Sequence, residues 1–279
     1  MNTAYSDLRR LLTPVYGERE ARAIAMMVLE EAFGIGRTAI YADKVRQFSQ
    51  DEQQLFLNIC KRLQAGEPVQ YVLGYEWFAG RRFAVSSDVL IPRPETEELV
   101  EWVLSLPLSA KGSLLDAGTG SGCIAVSLQL ALPEWQATAW DLSNQALQVA
   151  QANAEALGAK VQFEQRDILA PWPDDKVFDL IVSNPPYICE QERSSMEAHV
   201  LNHEPATALF VPDTDPLRFY RALAVGAANG ALKPGGLLMV EINRQYGVQT
   251  AELFEACGLR QVELRRDAFG NDRMVAARR

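Results

Sequence analysis

From residue 113 onward, short apolar runs alternate with stretches of helical periodicity, and no other feature of the chain limits its fold so strongly. Strand and helix in alternation build a parallel sheet with helices packed on its faces. Strands are predicted over 113–117, 136–140, 160–166, 177–183 and 235–242. Helices are predicted over 124–132, from the cap Ser143 to Leu157, over 217–232 and over 246–257. Residues 259–264 and 273–277 are expected to close the sheet as an antiparallel pair. Residues 188–215 form a long polar stretch, read as an insertion or a lid above the sheet.

The strand over 177–183 runs into Asn184-Pro185-Pro186-Tyr187. Neither proline has an N–H for the ladder, so the strand must stop there. Asn184 is biased toward an extended backbone by the proline after it. A stiff loop therefore holds an amide and an aromatic ring at the C-terminal edge of the sheet, where open α/β folds bind ligands. The Asn184 side-chain oxygen and the Pro185 carbonyl, side by side, can accept the two N–H bonds of a planar –NH₂ group, and Tyr187 can cover its face. A plain proline turn capped by asparagine is the bland alternative.

Asp116-Ala117-Gly118-Thr119-Gly120-Ser121-Gly122 lies between a predicted strand and helix. Its glycines let the backbone approach a ligand, and the helix start offers free N–H groups. A dinucleotide fingerprint would need its third glycine at position 123, which is Cys123. Asp116 at the strand end disfavours a pyrophosphate and favours a ligand carrying an ammonium or sulfonium group. Asp141 ends the next strand, where a carboxylate can accept both hydroxyls of a ribose. Asp167 ends the third, placed for an exocyclic adenine amine beside Ile168. Acids at three successive strand ends with a glycine loop describe a pocket for S-adenosylmethionine, and Asn184 borders the same edge.

Upstream, 1–72 reads as a helical domain, with Ser49-Gln50-Asp51-Glu52 as a capping-box pattern. Residues 73–92 read as a β-hairpin linker with an aromatic-rich run, and 93–279 as the domain that carries the chemistry. Net charge is −9 with pI near 4.9, so no bulk basic footprint for a nucleic-acid duplex exists. No uncharged apolar run reaches the length of a membrane span. The start of the chain, 1–7, lacks a signal-peptide layout, which points to the cytoplasm. The four cysteines form no C-x-x-C pair. His199 and His203 have helical metal-pair spacing, but Val200 stands where that motif needs glutamate, and they read as loop histidines. No metal is expected.

Asp116-x-Gly118-x-Gly120-x-Gly122 resembles motif I of class I methyltransferases, and Asn184-Pro185-Pro186-Tyr187 resembles the motif of amino- and amide-nitrogen methyltransferases. The phrases Pro92-Arg93-Pro94-Glu95-Thr96-Glu97, Phe78-x-Gly80-x-x-Phe83-x-Val85, Glu204-Pro205-x-x-Ala208-Leu209 and Arg266-Asp267-x-x-Gly270-x-Asp272-Arg273 together resemble the HemK/PrmC family. That resemblance implies an α/β fold: a class I, Rossmann-like methyltransferase sheet with a small N-terminal helical domain for substrate recognition and a β-hairpin linker. It implies methylation of N5 of the glutamine in the Gly-Gly-Gln motif of class I peptide chain release factors. Asp116, Gly118, Thr119, Gly120, Ser121, Gly122, Asp141, Asp167, Ile168 and Asn184 would hold S-adenosylmethionine. Asn184, Pro185, Pro186 and Tyr187 would hold the substrate, with Asn184, Pro185 and Tyr187 catalytic. A monomer without direct nucleic-acid contact is expected. A ribosomal-protein glutamine and an adenine N6 remain alternative acceptors.

Overall fold

The computed structural model describes residues 4–41 and 48–279; residues 1–3 and 42–47, which fall in the expected 1–72 helical region and partly in the 1–7 stretch, lie outside it. The chain divides into two compact units. One runs to Tyr75 and takes in Glu197–His203; the other comprises Glu76–Met196 and Glu204–Arg279.

The first unit is helical: α1 (Ala4–Phe33), α2 (Arg37–Tyr41), α3 (Gln50–Gln64) and α4 (Val69–Leu73). Helix α1 is broken at Gly17, at φ 74° and ψ 167°, and the chain resumes helix at once. Ser49 and Glu52 form the reciprocal capping box of α3. The apolar faces meet in a core of Leu8, Leu12, Ile24, Val28, Leu29, Ile59, Leu63 and Val72. Arg62 ties the end of α3 to α4, with a two-pronged contact to Glu67 and bonds to the carbonyls of Tyr71 and Val72.

From Glu76 the second unit takes up a hairpin, β1 (Tyr75–Phe78) and β2 (Arg81–Ala84), followed by α5 (Pro94–Ser105). The sequence predicts a β-hairpin linker over 73–92, and a hairpin forms within those bounds. It packs into this unit: Phe78 and Phe83 meet edge to face, fully buried in one core with Leu99 and Val103, and Asn153 bonds both backbone groups of Ala84. The alternation then sets in: β3 (Gly112–Ala117), α6 (Cys123–Ala131), β4 (Trp135–Asp141), α7 (Asn144–Leu157), β5 (Val161–Gln165) and β6 (Phe178–Ser183). Residues 188–215 carry β7 (Ile188–Cys189), a 3₁₀ turn, α8 (Ala198–His203), α9 (Ala206–Leu209) and β8 (Phe210–Val211). His199 and His203 thus lie on a short helix of the first unit, not in a loop.

The chain ends with α10 (Arg218–Gly226), β9 (Leu232–Glu241), α11 (Gly247–Ala256), β10 (Arg260–Arg266) and β11 (Asp272–Arg278). The helix expected over 217–232 is α-helical to Gly226 and goes on as a π-helical turn over Ala227–Ala231, where Gly230 at φ 129° leaves helical geometry and β9 starts at Leu232. The main sheet has the order β10-β11-β9-β6-β3-β4-β5, parallel from β9 to β5, with β11 antiparallel to both neighbours. Its pleat sends Leu114, Leu180, Val182 and Met239 into one core and Leu115, Ala117, Ile181 and Val240 into the other. Both faces are covered, which is why the strands read as nearly unbroken apolar runs. The chain order reverses between β3, with β4 on one side, and β6 on the other; ligands bind at such a switch point.

Candidate functional site

A cavity of about 690 Å³ lies over the C-terminal ends of β3, β4, β5 and β6. That is ample for a cofactor-sized ligand. Gly118, Thr119, Gly120 and Ser121 line it from the β3 loop, Asp141 from β4, Asp167 and Ile168 after β5, and Asn184 and Pro186 after β6. Arg93 and Thr96 at the start of α5 and Pro205, Thr207 and Ala208 of the polar stretch contribute further walls.

The glycine loop is fixed from behind. Gly118 and Thr119 donate to the carbonyl of Trp140 at 2.8 and 2.9 Å, and Gly120 N–H donates to Asp141 Oδ2 at 2.9 Å. Asp141 Oδ1 accepts from Ser143 N–H at 2.8 Å, where α7 begins. Each carboxylate oxygen has a second lone pair to offer a ligand. Burial pushes the Asp141 carboxyl up, opposed by N–H bonds from Ser143 and Gly120. Asp167 Oδ1 accepts from Leu169 N–H, which leaves Oδ2 for a ligand.

Asp116 stands apart from these lining residues. It is fully buried beneath the loop, and its Oδ2 accepts from Thr119 Oγ1 at 2.6 Å and from Ala125 N–H at 3.0 Å. Its Oδ1 has no partner. Burial pushes its carboxyl up to about 7, against the pull of those two donors. A buried acceptor with no donor is costly, so this site favours a ligand or water that brings one.

Asn184 is anchored through its nitrogen: Nδ2 donates to Thr96 Oγ1 at 3.0 Å, which leaves Oδ1 for the cavity. Thr96 donates to Glu241 Oε2 at 2.6 Å, and Tyr187 donates to Glu241 Oε1 at 3.0 Å. Tyr187 and Pro185 are not part of the cavity lining. The Tyr187 hydroxyl is drawn to the buried Glu241, and burial together with that carboxylate pushes its pKa well up. Asn243 Nδ2 bonds the Tyr187 carbonyl at 3.1 Å and so steadies the loop from β9's end.

Sequence reasoning assigns no role to Thr96, Glu241 or Asn243. Glu241 carries a signal: it is the one charged residue in the apolar run 237–242. Among the described residues no cluster of His, Cys, Asp or Glu could hold a metal ion. No helix there is long and apolar enough to cross a membrane.

The family model "PrmC N-terminal domain" matches residues 4–74, and "Methyltransferase small domain" matches residues 96–210. The release factor glutamine methyltransferase of Bacteroides thetaiotaomicron is 44% identical over 280 residues, covering 100% of both chains. The chain belongs to the release factor glutamine methyltransferase family. The family's Bacillus subtilis protein is 39% identical, over 93% of this chain and 91% of its own. A methyltransferase from Pyrococcus furiosus shares the fold at 15% identity, with TM-score 0.52 over 83% of this chain and 98% of its own. As a member of the family the chain is an S-adenosylmethionine-dependent methyltransferase. The site fits that cofactor on its own terms: the volume suffices, and Asp141 and Asp167 offer acceptors at neighbouring strand ends.

Proposed function

We propose that the chain moves a methyl group from S-adenosylmethionine to N5 of the glutamine in the Gly-Gly-Gln motif of class I peptide chain release factors. One observation carries the reading at the level of chemistry: an asparagine amide, bound back by its nitrogen, turns its oxygen into the cavity shared by the glycine loop and Asp141. Family membership supports the substrate class.

In this reading Asp141 takes the ribose hydroxyls and Asp167 with Ile168 the adenine. Gly118, Thr119, Gly120 and Ser121 form the cradle, with Asp116 beneath it and Gly122, outside the lining, starting α6 against Ala150. The bound cofactor supplies an electrophilic methyl group on a sulfonium. An amide nitrogen is a poor nucleophile, because its lone pair is delocalised into the carbonyl. Asn184 Oδ1 accepts one of its protons, the Pro185 carbonyl, reached once the amide seats beyond the present lining, accepts the other, and together they aim that lone pair. Pro186 and Tyr187 stiffen the loop, so Asn184 Oδ1 stands ready before substrate arrives. The N-terminal unit serves recognition of the intact factor. The protein works as a cytoplasmic monomer without direct nucleic-acid contact.

The deciding experiment offers labelled S-adenosylmethionine together with a release factor, a ribosomal protein and nucleic acid as separate acceptors. Mass spectrometry is expected to find one methyl in place of one proton on the Gly-Gly-Gln peptide. Methyl on adenine, or on the ribosomal protein alone, overturns the substrate assignment.

Asp141→Ala is expected to weaken S-adenosylhomocysteine binding by about 1.5–3 kcal/mol, the worth of hydrogen bonds to a charged group. Titration calorimetry reads this directly. An unchanged Kd in a folded variant removes Asp141 from the cofactor site.

A further inference from the structure

The two ends of an asparagine amide are alike in size and opposite in hydrogen bonding. Shape therefore does not decide which end Asn184 shows to the cavity; the groups behind it do. Methylation of a glutamine nitrogen needs the oxygen outward, since the substrate amide itself presents N–H bonds. An outward-turned nitrogen would set donor against donor.

Behind Asn184 the protons can be counted. A threonine hydroxyl has one proton to give. Thr96 gives it to Glu241 Oε2, at 2.6 Å. Its oxygen is then an acceptor only, and the amide facing it must offer a donor, as Asn184 Nδ2 does at 3.0 Å. Reversing the amide would press its oxygen against a hydroxyl with no proton left. The other carboxylate oxygen, Oε1, accepts from Tyr187, so Glu241 is held at both ends.

The fold delivers the three groups together. In the parallel pairing of β6 with β9, Ser183 lies opposite Val240, so Asn184 and Glu241 emerge side by side as the next residues. Thr96 comes from the first turn of α5, started by Pro94. Its β-branched side chain has few rotamers, and it is buried, as Glu241 is. A carboxylate buried at a strand end beside an amide would be costly unless fully bonded, and these two hydroxyls bond it.

We propose, on the basis of the glutamine reading of this site, that Thr96, oriented by Glu241, is the positioning residue that fixes Asn184 with its oxygen toward the substrate. Neither Thr96 nor Glu241 acts on the reacting atoms in this scheme; both act through Asn184.

The test is a mutant cycle on the full-length enzyme with an intact release factor. Thr96→Val keeps the shape and removes the hydroxyl. It is expected to lower kcat about 10–100-fold, the scale of a misplaced reacting group. The Kd for S-adenosylhomocysteine should stay within about threefold, and Thr96→Ser should recover kcat to within about threefold of wild type, as for loosely coupled changes. In an Asn184→Ala background, Thr96→Val should slow the enzyme no further than about twofold, because the residue it positions is gone. A purely structural threonine would lower thermal stability with kcat unchanged, or would slow the double variant by the same factor as the single; either result overturns the proposal. If Thr96→Val does not fold, Glu241→Met keeps the approximate volume and removes both acceptors, so the Thr96 proton is free to face Asn184 Oδ1. It is expected to lower kcat severalfold, and wild-type kcat overturns the proposal. The wild-type assay separates the two readings: no methyl on glutamine overturns both, whereas glutamine methylation with unaltered kcat in the variants overturns only the positioning role.

Discussion

Asn184→Ala is expected to lower kcat for methyl transfer to a release factor by roughly 10²–10³-fold, as losing one preorganised hydrogen-bonding group does. The affinity for S-adenosylhomocysteine should fall much less, because Asp141, Asp167 and the glycine loop line the rest of the cavity. Single-turnover kinetics and calorimetry on the same preparation separate these effects. A variant that loses stability while keeping kcat would reduce Asn184 to a cap on its loop. Asn184→Asp keeps acceptor oxygens and adds a charge. It is expected to bind the cofactor at least as tightly yet remain slow, because ground-state attraction to a sulfonium does not lower the barrier. The added oxygen would also face Thr96, whose proton Glu241 already holds.

Gly122→Ala carries the largest expected cost to stability. Gly122 caps α6 at φ 82°, and a Cβ there would lie 3.1 Å from Ala150 Cβ and 3.2 Å from Ala150 Cα on α7. Left-handed backbone on a non-glycine residue costs about 1–2 kcal/mol. Overpacking adds about 1–3 kcal/mol, since neither helix can retreat without disturbing the core around Ile124 and Ala154. The sum, about 2–5 kcal/mol, corresponds to a fall in Tm on the order of 5–15 °C for a unit of this size. Gly120→Ala is the comparison: its φ is 54°, but nothing lies within 4 Å of the added carbon. It should show the backbone strain alone. Equal melting temperatures for the two variants would mean that the contact between α6 and α7 gives way freely.

Much of the fold was legible because local chemistry and tertiary demand agree in these segments. Ser143 caps α7 through its hydroxyl and Gly158 ends it in left-handed geometry, as their residue types dictate. The apolar runs 113–117 and 177–183 became strands because both faces of a parallel sheet must be covered. The ends of elements were less readable. Nothing local announces that Gly230 will stop a helix rather than sit within it, and only its φ of 129° shows that it does. The hairpin at 75–84 was legible as a hairpin, but not what it packs on, because a lone hairpin has no core of its own; Phe78 and Phe83 share theirs with Leu99 and Val103 of α5.

The sequence by itself determined which residues can meet at one sheet edge. Strand order and period bring the loop after Asp116, Asp141, Asp167 and Asn184 to the C-terminal ends of neighbouring strands, a consequence of right-handed crossovers in a parallel sheet. The tertiary structure alone decided what each of them faces. Asp116 went under the glycine loop, because Thr119 and Ala125 offer it donors there. Tyr187 turned to Glu241, a residue 54 positions away along the chain. The direction of the Asn184 amide depends on Thr96, 88 residues earlier, and on where that hydroxyl sends its single proton. Hydrogen-bond direction is set by the partners that packing brings within reach, and partners so distant in sequence leave no local pattern to read.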